Sequence, residues 1–137
     1  DTKLRIFAVG LFIIGVAEGG MELTLKSETG FDLLALSGEV DMHFSPKLRE
    51  KILGTLKDGK PLLIDMAQVS YIDSSGIASL VEGFQTAKSS KLPYGLLNIS
   101  TTALQVLTLT RLDKIFNLYS SAEQFKAQVT THAGAIQ

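Results

Sequence analysis

Cysteine is absent from the 137 residues, which excludes disulfides, thiolate metal sites and a cysteine nucleophile. The two histidines, His43 and His132, lie far apart and share no metal-ligand spacing. No block of one charge sign occurs: 13 Lys and Arg stand against 14 Asp and Glu, for a net charge of −1. A nucleic-acid binder carries a basic patch or stripe, and none is visible. No apolar run reaches the roughly 20 residues of a membrane-spanning helix. There is no P-loop, no internal repeat and no nucleophile–base–orienter arrangement. What remains is 45% apolar and 20% charged, ordinary for one globular domain with one core, able to fold in the cytoplasm.

The first twenty residues differ from the rest. Ile6–Val16 is nearly all apolar and follows Lys3 and Arg5, loosely like a signal peptide, but Val16-Ala17-Glu18-Gly19-Gly20 matches a cleavage site poorly. Glu18-Gly19-Gly20 reads as a linker and Met21 as the natural start of the domain. Residues 1–20 are then an added leader, or an extra strand or helix, with homodimer formation as one role. The domain spans 21–130, and 131–137 form a frayed tail.

From Met21 the periodicities are readable. Leu23 and Leu25 alternate with Glu22, Thr24 and Lys26, the pattern of a half-buried strand. Glu28-Thr29-Gly30 is a turn, and Phe31–Val40 returns as the second arm of a hairpin. Ser45-Pro46 predicts an N-cap followed by Pro at the first helical position, with Leu48, Ile52 and Leu56 inward and Gly59 ending the helix. Pro61–Met66 predicts a central strand. Ile77, Leu80, Val81, Phe84 and Ala87 form one helical stripe after Asp73. Leu92–Ile99 predicts a further strand and Ser100–Thr102 a cap for a helix burying Leu104 and Leu107, with Val106 beside them. A short strand is expected at Lys114–Phe116. Ser120-Ser121-Ala122-Glu123 reads as a capping box before a last helix with Ala122, Phe125 and Val129 inward. The fold class is α/β: a mixed sheet opening with a hairpin and packed by about four helices.

The functional question narrows to Val69–Ile77. A strand ends there, and small polar residues meet a helix N-terminus, whose free N–H groups and dipole favour an anion. Gly76 removes bulk and allows a partner close approach. A serine in this place is presented to solvent and can carry a phosphate. Asp73-Ser74-Ser75 is equally what an ordinary N-cap looks like. His43 in a polar loop reads as a surface residue, and Asp41, Asp65 and Asp73 as turn chemistry rather than a carboxylate pair.

Tyr71-Ile72-Asp73-Ser74-Ser75-Gly76-Ile77, preceded by Leu62-Leu63-Ile64-Asp65-Met66, resembles the signature of the STAS domain, found in sulfate transporters and anti-sigma factor antagonists. The likeness covers about residues 21–130. It includes Gly38-Glu39-Val40-Asp41, Leu109–Phe116 and the closing Ser120–Phe125 segment. Arg111 departs from it, standing where many members have Gly, and the apolar leader has no counterpart.

The resemblance implies a cytoplasmic, non-enzymatic regulator without a cofactor. Its partner would be an anti-sigma factor that is also a serine protein kinase, and phosphorylation at Ser74 would break the complex. The implied docking surface comprises Asp41, His43, Phe44, Asp73, Ser74, Ser75, Gly76 and Ile77. Two other roles of the family stay open: a cytoplasmic accessory subunit of a membrane lipid-transport ATPase, and a scaffold subunit of a stress-sensing assembly. Neither direct nucleic-acid contact nor membrane insertion of 21–130 is implied.

Overall fold

The computed structural model of the chain describes residues 5–8, 13–18 and 21–136. Of the expected linker, Glu18 ends a strand and Gly19-Gly20 lie outside the described residues. Of the readings open for residues 1–20, the structure shows strands: β1 (Arg5–Ala8) and β2 (Ile13–Glu18). β2 pairs antiparallel with β3 (Met21–Glu28), which turns at Gly30 into β4 (Phe31–Val40). From β4 onward the sheet is parallel, joined through α1 (Ser45–Lys57) to β5 (Leu62–Ile72). The chain continues through α2 (Ser74–Ser90), β6 (Tyr94–Leu97), α3 (Thr101–Leu109), β7 (Leu118–Tyr119) and α4 (Ala122–Ile136). The sheet order is β1-β2-β3-β4-β5-β6-β7.

Alternation along β5 divides the core between the two faces. Leu62, Ile64 and Met66 join Leu48, Ile52 and Leu56 of α1, Ile77 and Leu80 of α2, and Ala103 and Leu107 of α3. Leu63 points the other way, to Phe31, Leu97 and Phe125 of α4. Two edge-to-face ring contacts, Phe31–Phe125 at 5.2 Å and Tyr119–Phe125 at 5.3 Å, fix α4 on that face.

Several element ends differ from expectation, each for a local reason. Ser45 is not the cap of α1. Phe44 already has helical dihedrals, and the Asp41 carboxylate accepts from the His43 and Phe44 amides, so the turn begins earlier. β5 runs past Met66 to Ile72, because β4 pairs with it there while β6 reaches only Asp65. Beyond the reach of β6, where Ser100 instead donates to the Met66 and Val69 carbonyls, that stretch carries Gln68, Ser70 and Tyr71 exposed and breaks the apolar pattern. β6 is shorter than Leu92–Ile99.

Ala103 and Leu107 face inward from α3, four residues apart, leaving Leu104 turned outward. Lys114–Phe116 is a turn and the strand comes later, at β7. Left-handed Arg111 (φ 61°) reverses the chain, and Phe116 packs edge-on against Phe84 at 6.0 Å. The last cap is shifted by one residue: Ser121 Oγ accepts from the Gln124 amide while Gln124 Oε1 accepts from the Ser120 amide. α4 then continues through the expected tail to Ile136.

Candidate functional site

β5 ends at Ile72, and Asp73 has extended dihedrals (φ −105°, ψ −174°) that turn the chain into α2. One carboxylate oxygen, Asp73 Oδ1, accepts from the amides of Ser75 (2.9 Å) and Gly76 (3.1 Å) and from the Ser75 hydroxyl (2.6 Å). This is the N-cap arrangement that satisfies donors orphaned at a helix start. The other oxygen, Oδ2, accepts from the Met42 amide at 3.0 Å. The Asp73 amide donates to Val40 O at 3.1 Å, so the end of β4 and the start of α2 are bound in both directions. Partial burial pushes the Asp73 carboxyl upward. The donated bonds from Ser75, Gly76 and Met42 outweigh it, holding the group below the usual carboxylate range.

This geometry separates the two serines. The Ser75 hydroxyl is half-buried and committed to Asp73. Ser74 is exposed, and no hydrogen bond to its hydroxyl occurs among the described residues. Ser74 also forms part of the wall of a groove of about 660 Å³ between α2 and α3, with Ile77, Ala78, Val81 and Glu82 on one side and Val106 and Thr110 on the other. The sequence reading missed this groove. No sequence signal marks it: Val81 falls on the apolar stripe of α2, and only the structure shows that Val81 and Val106 are buried in part.

The structure brings most of the candidates together, with two corrections. Asp41 and exposed His43 lie in the loop that Asp73 holds. Phe44 belongs to the core at 2% exposure, so its side chain does not face a partner. Gly76 is also turned inward. A Cβ there would lie 2.8 Å from Val40 and from Ile72, so the glycine admits α2 close to the sheet rather than a partner to the helix. Ile77 is 7% exposed yet reaches the floor of the groove. Met42, which sequence reasoning passed over, is 74% exposed beside the site. Asp41 and Asp65 each accept from amides two or three residues on, the turn chemistry expected of them.

The comparison with protein families decides the identity at this point: the model of the STAS domain matches residues 22–125. The chain belongs to the STAS domain family. Among STAS proteins it is 31% identical, over 88 residues, to the anti-sigma-B factor antagonist of Bacillus subtilis (strain 168), covering 64% of this chain and 81% of that one. The crystal structure of an anti-sigma factor antagonist from Mycobacterium paratuberculosis superposes with a TM-score of 0.69 at 26% identity, covering 80% of this chain and 94% of that one. The fold is also that of the anti-sigma factor antagonist SpoIIAA of Bacillus. Its unphosphorylated form has a TM-score of 0.69 at 21% identity, covering 80% of this chain and 96% of that one. Its phosphorylated form has a TM-score of 0.63 at 22% identity, covering 78% and 98%. The STAS match begins inside β3, so β1 and β2 extend the sheet beyond the matched span. Among the described residues, no helix is long and apolar enough to cross a membrane.

Proposed function

We propose that this STAS protein is a cytoplasmic, non-enzymatic anti-sigma factor antagonist, switched by phosphorylation at Ser74. The observation that carries this reading is the contrast between neighbours: Ser74 is exposed and nothing among the described residues bonds its hydroxyl, whereas Ser75 is tied to Asp73. The name of the Bacillus subtilis relative supports the sigma-regulating role, and a phosphorylated form of SpoIIAA supports the switch. Unmodified, the surface around Ser74 binds an anti-sigma factor that is also a serine kinase, and so releases a sigma factor. The kinase then transfers the γ-phosphoryl group of its ATP to Ser74 Oγ, leaving ADP.

The phosphate adds about −1.5 to −2 charge at neutral pH. The dipole of α2 offsets part of this, by about 0.3–1 kcal/mol, while ionised Asp73 opposes it. The fold therefore survives modification. The complex does not, because burying an unpaired charge at an interface costs several kcal/mol. The test is to incubate the protein with ATP and its cognate anti-sigma factor kinase, then map phosphate by mass spectrometry. Phosphate on Ser74 is expected. Phosphate on Ser75 overturns the residue assignment, and none at all favours an accessory subunit of a lipid-transport ATPase.

A further inference from the structure

A second groove, of about 440 Å³, lies between β3 and the C-terminal half of α1. Half-buried Leu25 of β3 lines one side, and two ridges of the helix line the other. Residues three or four apart are neighbours on a helix surface, so Lys51, Thr55 and Asp58 form one ridge and Glu50, Gly54 and Lys57 the next. A Cβ at Gly54 would meet nothing within 4 Å, so the groove is open above it.

Thr55 is the group that the fold itself does not explain. It is 6% exposed, buried like Ser45 and Ser79, whose hydroxyls donate to the carbonyls of Met42 and Ser75. The Thr55 hydroxyl has no hydrogen-bond partner among the described residues, although Thr55 lines the groove. A buried hydroxyl left unbonded is costly, and an acceptor from outside the chain removes that cost.

The charges beside it are uncommitted too. Lys51 and Lys57 stand against Glu50 and Asp58, and none of the four forms an ion pair among the described residues. The lining is thus neutral overall yet offers both signs, which suits a small molecule with one head of each sign better than a phosphate or a polyamine. Lys51 stands one turn before Thr55 and Asp58 one turn after it. At 1.5 Å per residue the two are about 10 Å apart along α1. The adjacent heads of an α-amino acid, each with a hydrogen bond of about 3 Å, bridge a similar distance. The polarity also fits, because the C-terminal end of α1, at Asp58, favours a cation.

We propose that this groove binds a free α-amino acid with an aliphatic side chain. Its carboxylate accepts from the Thr55 hydroxyl and the Lys51 ammonium, its own ammonium donates to Asp58, and its side chain crosses Gly54 toward Leu25. The site lies toward the opposite end of α1 from the loop that flanks Ser74, and it does not rest on the antagonist role.

The test titrates L-leucine into the ¹⁵N-labelled full chain, beside 4-methylpentanoate and 3-methylbutylamine, which each lack one head. L-Leucine should shift the amides of Leu25, Lys51, Gly54, Thr55 and Asp58 at millimolar concentration. Each analogue should bind about tenfold more weakly or worse, through loss of a charge-assisted bond. Thr55→Val should weaken L-leucine about threefold or more without lowering the melting temperature, because the hydroxyl it removes bonds nothing within the fold. Gly54→Trp should fill the groove and abolish the shifts, with the rest of the spectrum unchanged. No shift at millimolar concentration, shifts confined to other surfaces, equal binding of either analogue, or a destabilised Thr55→Val would each overturn the proposal. None of these results bears on phosphorylation of Ser74, so the two readings fail separately.

Discussion

Asp73 Oδ2 accepts the Met42 amide at 3.0 Å, across 31 residues of chain, while Asp73 Oδ1 caps α2. One side chain thus holds together the two loops that flank Ser74. Asp73→Ala should lose both functions and cost about 1–2 kcal/mol, the upper range for an N-cap. Thermal unfolding would register this. A loss below about 0.3 kcal/mol would show that the loop positions itself.

The same carboxylate makes a pH prediction. Its folded pKa lies below its unfolded value of about 3.9, so its ionised form stabilises the fold above that pH. The contribution is lost as pH falls through the depressed folded value. Asp73→Asn keeps the shape and removes the charge. Urea midpoints of wild type and Asp73→Asn should therefore differ at pH 7 and converge as pH falls toward 3. A difference that does not change with pH would contradict the assignment.

Two glycines should respond oppositely to alanine. At Gly76 the added Cβ meets Val40 and Ile72 at 2.8 Å, and overpacking should cost about 1–3 kcal/mol despite better helix propensity. At Gly54, in α1, a Cβ meets nothing within 4 Å, so Gly54→Ala should stabilise by about 0.5–1 kcal/mol. Melting temperatures of the two variants should fall on opposite sides of wild type. Same-sided shifts would mean that the close approach of α2 to the sheet is not tight.

Much of this arrangement could be read from the sequence, and the rest failed for definable reasons. The β3–β4 hairpin, the parallel core and the stripe of α2 carried strong periodicity. The direction of Gly76 did not, because a glycine at a helix start looks the same whether it admits a partner or a strand. Phe44, which the resemblance places on the docking surface, instead enters the core, because Asp41 turns the chain there. Ser74 could be picked out only by resemblance. The bond from Ser75 to Asp73, which distinguishes the two serines physically, is a three-dimensional fact.

Arg111 occupies a left-handed conformation, φ 61°, just past the end of α3. A non-glycine residue there costs about 1–2 kcal/mol, partly offset by glycine's greater freedom when unfolded. Arg111→Gly should raise stability by about 0.5–1 kcal/mol in a denaturant melt. A destabilised variant would indicate that the arginine side chain makes a stabilising contact.

We propose that residues 21–130 are the folding unit and that the leader is dispensable for it. β2 pairs along Met21–Lys26, so a chain starting at Met21 exposes that edge of β3. Such a chain should remain folded and melt within a few degrees of the full chain. Loss of cooperative unfolding would make the leader part of the core. A change only in oligomeric state, read by light scattering, would make it an assembly element.

The central claim is that phosphate on Ser74 breaks binding without breaking the fold. Its most direct measurement is the affinity of the anti-sigma kinase for the protein before and after phosphorylation, by calorimetry, with a melt of each form. A loss of about 3 kcal/mol corresponds to roughly a hundredfold weaker binding, and the melting temperatures should agree within a few degrees. Ser74→Ala should bind like the unmodified protein. Phosphorylated protein that binds within threefold of the unmodified form would contradict the account.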